Sequence, residues 1–201
     1  MTELVPAYSS LTVYFDLPKV KKTAGNITAI EWMIEQAEQR LKENIFLQET
    51  PGKMMRIPVC YDSEFAPDIF RLAAANNISP EEVIALHTSK TYRVFMLGFL
   101  PGFAYMGQVD EKIAMPRKPQ PVNVAADSVG VAGSQTGIYP LDSPGGWHII
   151  GRTPWKLFDA EREEPVLLQA GDQVQFFSIS KNDFREIQNS ALLKESSQGD
   201  T

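Results

Sequence analysis

Hydrophobic positions along this chain follow two different rhythms. In residues 26–44, Ile27, Ile30, Met33, Ile34, Ala37 and Leu41 recur at the spacing of one helical face, with Glu, Gln, Lys and Arg between them. Thr28 followed by Glu31 has the form of a capping box and marks the start of that helix. Residues 10–15 (SLTVYF) are β-branched and aromatic and predict a strand. Residues 54–61 (MMRIPVCY) predict a second, whose Pro58 favours an edge or an end because proline has no N–H to give. Two short helices follow, over 66–76 with Pro67 in the first turn, and over 79–87. The latter opens with Ser79 as cap, Pro80 in the first turn and Glu82 as the capping-box acid.

From Tyr92 onward the helical period is gone. Short strand candidates lie at 92–99, 122–125, 128–132, 147–151, 156–159, 166–169 and 173–179, separated by Gly and Pro turns. That pattern predicts a barrel or a sandwich. Beyond Ser180 a short helix holds Phe184 and Ile187, and the polar tail KESSQGDT is expected to be disordered. The fold class is therefore α+β in two domains: an α/β N-terminal domain over 1–89 and a β domain over 90–182, with the helix and tail over 183–201. Two strands around one amphipathic helix make a thin N-terminal sheet. Either a further βα unit belongs upstream, or the second domain covers the exposed edge.

Composition narrows the function classes. The chain has 201 residues, 43% hydrophobic and 22% charged, with a net charge of −6. No basic run stands out, which argues against nucleic acid as a partner. No apolar run approaches the roughly 20 residues of a membrane span, and MTELVPAYSS is not a signal peptide. The single cysteine, Cys60, sits in the apolar run IPVCY and is read as a buried small side chain, not a catalytic thiol. A reducing cytoplasm fits these features.

Residues 95–155 depart from this ordinary background. They hold nine of the 13 glycines and seven of the 14 prolines. Between Lys118 and Arg152 there is no lysine or arginine, and the only acids are Asp127 and Asp142. An exposed loop of that length is normally charged, so this segment is built to pack against core, partner or ligand.

Its blocks GFLPGFAYMG, MPRKPQPVNV, VGVAGSQTGIYPLDSPGGW and IIGRTPWKLFD resemble the signature blocks of the allophanate hydrolase subunit 1 family. That family includes the B subunit of bacterial 5-oxoprolinase, a sporulation-kinase inhibitor and one part of urea carboxylase. The earlier blocks ELVPAYSSLTVYFD, IPVCYDSEFAPDI and SPEEVIALHTSKTYRVFMLGF extend the resemblance over roughly residues 3–179. It implies that the second domain is a cyclophilin-like β-barrel, and that a further strand and helix precede the ELVPAY block, so the N-terminal domain is expected to be truncated. It also implies a larger homologous subunit and a lactam-hydrolase subunit as partners. The implied activity is hydrolysis of the small molecule 5-oxo-L-proline to L-glutamate with ATP cleavage, the ATP and its Mg being bound with partner subunits. A regulator of a sensor histidine kinase and a urea-carboxylase-like component are the other branches.

Opening a five-membered lactam with ATP needs donors for phosphate and for the developing oxyanion. No G-x-x-x-x-G-K-[ST] pattern occurs. Arg152 (GRTP) and Arg117 (PRKP) are the cations nearest the Gly-rich segment, each suited to bidentate binding of an anion. Arg152 either does this or pins loop carbonyls, while Lys118 is read as solvent-facing. His148 (GGWHII) points into a groove as a base, or lies on the barrel exterior. Arg152 and His148 are the catalytic candidates. Gln135, Thr136 and Tyr139, flanking Gly137, together with Arg117, Phe99 and Phe103, are the substrate-binding candidates. Phe99, Phe103 and Tyr105 otherwise read as core or interface aromatics. His87, ending a capped helix, is expected to be charged there. Asp127 and Asp142 read as turn-makers, and no metal-ligand cluster is evident.

Overall fold

The computed structural model describes residues 2–42 and 52–198. The last two residues of the expected 26–44 helix and the last three of the polar tail lie outside them. The chain divides into two compact units, Met1–Thr50 and Pro51–Thr201. Residues 54–89, which the sequence groups with the N-terminal domain, fall in the second unit.

In the first unit, β1 (Glu3–Pro6) and β2 (Leu11–Tyr14) form an antiparallel hairpin closed by Ala7 N–H donating to the Ser10 carbonyl at 2.8 Å. Helix α1 (Leu17–Ala24) was not expected. Its Asp16 cap accepts from Lys19 N–H at 3.1 Å, and Gly25, at φ +63°, ends it. Helix α2 (Ala29–Lys42) begins at the expected capping box: Glu31 N–H donates to Thr28 Oγ1 at 3.2 Å, and Thr28 N–H to Glu31 Oε2 at 2.8 Å.

The second unit is organised around a curled seven-stranded sheet, consistent with a cyclophilin-like barrel. Its strands are β3 (Met54–Val59), β4 (Thr91–Leu97), β5 (Ala104–Gly107), β7 (Ser128–Ala132), β8 (Gln135–Ile138), β10 (His148–Arg152) and β11 (Gln173–Ser178). They run in the order β10-β7-β8-β5-β4-β11-β3. All neighbours are antiparallel except β11 and β3, which pair in parallel with Val174 opposite Met55. β3, the strand carrying Pro58, thus lies at the rim of the sheet, where a missing N–H is tolerated. A two-stranded ribbon of β6 (Val122–Val124) and β9 (Ser143–Gly145) accompanies it. The expected strands at 156–159 and 166–169 are irregular, joined by a lone bridge between Phe158 and Val166.

Inside the curl, β4 shows the alternation that seats it: Tyr92 and Val94 are buried while Thr91, Arg93 and Phe95 are exposed. Ile57, Met106, Ile138, Ile150 and Phe176 join them, and helices α3 (Ile69–Ala75) and α4 (Pro80–Thr88) add Ile69, Leu72 and Val83. Each such side chain contributes about 1.5–3 kcal/mol on full burial. Ser79 caps α4 as the sequence predicts, its Oγ 3.2 Å from Glu82 N. Helix α5 (Lys181–Gln198) runs well beyond the short helix expected, into the polar segment read as disordered. Its Phe184 stacks on Phe65 at 4.4 Å.

Cys60 is buried, and burial pushes its thiol up. His87 departs from expectation. It is fully buried, and desolvation lowers its pKa to about 3, so the imidazole is neutral. Thr136 Oγ1 donates to the Gly130 carbonyl (3.1 Å) and so accepts from His87 Nε2–H (2.9 Å), while Tyr61 O–H donates to His87 Nδ1 (2.7 Å). A helix-end position favours a charged imidazole only where water reaches it.

Candidate functional site

Within the low-charge segment 119–151, β7 is buried on both faces. Val129 and Val131 face the inner core, while Gly130 and Ala132 face a second, outer cluster built on Phe103, Tyr139 and Trp147. Gly130 and Gly137 stand opposite each other on β7 and β8. A Cβ at Gly137 would lie 2.9 Å from the Ala104 carbonyl oxygen and 3.1 Å from both Phe103 and Trp147 rings. One at Gly130 would lie 3.2 Å from Trp147 Cβ and from Ile149. At Gly137 the missing side chain makes room for aromatic rings, and at Gly130 for the packed side chains of Trp147 and Ile149.

Phe103 is the centre of this layer. Tyr139 and Trp147 meet it edge-on at 5.1 and 5.4 Å, and Tyr105 lies at 4.7 Å. Such pairs contribute about 0.5–1.5 kcal/mol each beyond area burial. Phe99 lies at the rim, edge-on to Phe103 at 5.6 Å and to Tyr139 at 6.4 Å, yet it is 61% exposed. Its φ is +71°, a left-handed conformation that costs a non-glycine residue about 1–2 kcal/mol. The turn that imposes it is tied by Gly98 N–H to the Phe103 carbonyl (3.1 Å) and Phe103 N–H to the Leu100 carbonyl (3.0 Å). A strained, exposed aromatic on a rigid turn is a common mark of a contact surface.

Arg117 is exposed beside the same layer, its Nε 3.6 Å from the place a Gly146 Cβ would take. Burial pushes the Tyr139 phenol up to about 12 and raises that of Tyr105, with the Arg117 charge opposing in both. Both phenols therefore keep their protons at neutral pH. The rim thus combines an apolar ring, a guanidinium and a neutral phenol, a set suited to a flat molecule bearing an anionic group or to another chain's surface.

The other candidates are placed differently. Thr136 is wholly buried and committed to His87 and Gly130. Gln135 is half-buried on β8, opposite Ala132 and Gly107. Arg152 is half-buried with Nε donating to the Ala126 carbonyl at 2.9 Å, so it pins a loop carbonyl. His148 is not on the barrel exterior: it is buried, and its Nε2 donates to the Pro116 carbonyl at 2.9 Å. Its Nδ1 has no hydrogen-bond partner among the described residues. Lys118, read as solvent-facing, instead forms a largely buried ion pair with Asp68 at 2.6 Å, both side chains 12% exposed. The same Asp68 oxygen accepts Ile149 N–H at 2.7 Å, which locks the 116–118 turn to β10. Among the described residues no group of three or more His, Cys, Asp and Glu side chains is placed to hold a metal.

Sequence reasoning missed Asp127 as more than a turn-maker. It does make a turn, at φ +65°, but the residue also borders a cleft, and burial of its carboxyl raises its pKa to about 6. The side chains opposite it come from distant segments, so no local signal pointed to it.

Residues 1–168 match the model of the family described as carboxyltransferase domain, subdomain C and D. The 5-oxoprolinase B subunit of Bacillus subtilis (strain 168) is 45% identical over 185 residues, covering 90% of this chain and 77% of that protein. The 5-oxoprolinase B subunit of Escherichia coli O157:H7 is 40% identical, covering 88% and 77%. Among solved structures, a conserved uncharacterized protein of Pyrococcus horikoshii superposes with a TM-score of 0.63 at 42% identity, covering 91% of this chain and 81% of that one. The structure of TTHA0988 gives 0.61 at 44% identity over 64% of this chain, which corresponds to 26% of that longer chain. No helix among the described residues is long and apolar enough to cross a membrane. The chain belongs to the carboxyltransferase-domain family, subdomains C and D, which also holds the B subunits of 5-oxoprolinases.

Proposed function

We propose that this chain is the smaller subunit of an ATP-dependent 5-oxoprolinase, a complex that hydrolyses 5-oxo-L-proline to L-glutamate. The observation that carries this reading is the identity of 45% and 40% to 5-oxoprolinase B subunits, over about nine-tenths of the chain. The chain works with a larger homologous subunit and a lactam-hydrolase subunit, and ATP with its magnesium ion is bound jointly with them. In this reading the outer aromatic layer forms one wall of a shared recess. Phe99 is the anchor that a partner surface or the lactam ring covers, which accounts for a large apolar side chain held exposed on a strained turn. Arg117 supplies the cation for a carboxylate or phosphate.

The test is glutamate release from 5-oxoproline and ATP by the reconstituted subunits. The complete set is expected to turn over, and the chain alone to release none. Phe99→Gly, which relieves the left-handed strain, is expected to leave the thermal midpoint unchanged or higher while lowering turnover about tenfold or more. Full turnover without this chain would end the reading, and full turnover with Phe99→Gly would remove the aromatic rim from it.

A further inference from the structure

The turn at residues 115–118 is tied down on both sides of Arg117, while Arg117 itself stays exposed. Before it, the Met115 carbonyl accepts Gly133 N–H at 2.7 Å, and the Pro116 carbonyl accepts His148 Nε2–H at 2.9 Å. After it, Lys118 N–H donates to the Gly146 carbonyl at 2.7 Å, and Lys118 Nζ donates to Asp68 Oδ2 at 2.6 Å. Prolines at 116 and 119 fix φ on either side.

Asp68 shows what this anchoring displaces. It is the N-cap residue of α3, yet its side chain makes no capping hydrogen bond to that helix. A capping aspartate ordinarily stabilises its own helix. This one turns toward β10 and the turn instead: Oδ2 receives both Lys118 Nζ and Ile149 N–H, and Asp68 N–H donates to the Ile149 carbonyl at 3.0 Å. Both side chains of the pair are only 12% exposed. Desolvating two charges offsets most of their attraction, so an apolar contact would hold the turn as firmly. What a hydrogen-bonded ion pair adds is one defined position.

That position belongs to a guanidinium. Arg117 Nε and Nη2 lie 3.6 and 3.8 Å from the place a Gly146 Cβ would take, so the group rests against the residue whose carbonyl anchors Lys118. Its charge reaches the phenols of Tyr105 and Tyr139. Two adjacent cations are thereby sorted, Lys118 neutralised by Asp68 and Arg117 kept at the rim.

We infer that the Lys118–Asp68 ion pair is a positioning device for Arg117, holding its guanidinium beside Tyr105 and Tyr139 where the anionic group of a ligand arrives. This rests on the role given to Arg117 in the proposed function. Neither Lys118 nor Asp68 touches the ligand.

The test uses Asp68→Asn combined with Lys118→Met, which removes both charges together and leaves no buried ion unpaired. In the ¹⁵N-labelled full chain, the order parameter of Arg117 Nε is expected to fall by about a third, the step from a rigid to a flexible site. Backbone values in α3 and β10 should hold. Lys118→Gln is expected to move it the same way by less, which keeps the test open where the paired variant does not fold. In the reconstituted complex, Arg117→Met is expected to raise the KM for 5-oxoproline or for ATP, and the paired variant to raise the same KM about tenfold with little change in kcat. Added to Arg117→Met, the paired variant should do nothing further, because it acts only through Arg117. A pair that merely stabilised the fold would lower turnover in that background too. An Arg117 Nε that is flexible from the start or unmoved by the variants, or additive losses with Arg117→Met, would overturn the inference. KM values unmoved by Arg117→Met would instead remove the role proposed for Arg117, and the order parameter would still decide whether the pair holds it.

Discussion

His87 and Asp127 are both ionisable groups displaced from their ordinary pKa by burial, and they differ in what completes them. The His87 ring has a partner at each nitrogen, and the Thr136 hydroxyl beyond it donates its own hydrogen bond to a carbonyl. Asp127 keeps one buried oxygen that accepts no hydrogen bond from a described residue. A closed hydrogen-bond chain in the core fixes one packing, whereas an open one leaves a valence for something else to fill. The two sites therefore respond oppositely when their polar groups are removed.

The largest effect is expected at the closed chain. His87→Leu strands the Tyr61 hydroxyl in the core, removes the donor to Thr136 and changes a fully buried packing, and should cost about 3 kcal/mol or more, read from urea unfolding at pH 7.5. A loss under about 1 kcal/mol would show that the chain contributes little.

Acid provides a gentler probe of the same residue. The His87 pKa of about 3 lies below the ordinary 6.5, so the folded state holds the proton more weakly than the unfolded chain. Its stabilisation is whole above pH 6.5 and is lost progressively as pH falls toward 3. Between pH 6.5 and pH 5 the protein should lose about 2 kcal/mol from this residue, and His87→Leu should flatten that slope.

The smallest effect, of opposite sign, belongs to Asp127. Its folded-state pKa of about 6 lies above the usual 3.8, so its contribution is complete below pH 3.8 and fades as pH rises through 6. Asp127→Asn is therefore expected to stabilise the protein at pH 8 by about 1 kcal/mol, allowing for solvent screening of a partly exposed group, and to be neutral near pH 4. Equal effects at both pH values would mean that ionisation at this site carries no cost.

Much of the scaffold was legible because its signals are local. Ser79, Pro80 and Glu82 announce α4, Thr28 and Glu31 announce α2, and the β-branched run at 128–132 is a strand at the expected position. The missed strands β1, β5, β8 and β9 are only three or four residues long, and β5, β8 and β9 each hold a glycine, so their strand character comes from neighbours across the sheet. Helix α1 had usable signals in Asp16 and Pro18. The candidate site divides similarly. Phe99, Phe103, Tyr139 and Arg117 do meet at one layer, and the uncharged ribbon pointed to it. Thr136, Lys118 and His87 were placed by partners 49 or 50 positions away, Thr136 with His87 and Lys118 with Asp68, which no local pattern reveals.

The facing glycines beneath the aromatic rings also set how this surface can change. At Gly137 even alanine would collide with the Ala104 carbonyl and crowd two rings, whereas at Gly130 it would press on Trp147 and the end of Ile149. The floor at Gly137 is thus frozen at zero side-chain height, and any sequence that keeps the rings must keep its hydrogen. Variation in what the surface recognises is left to its perimeter, where Phe99 and Arg117 are exposed.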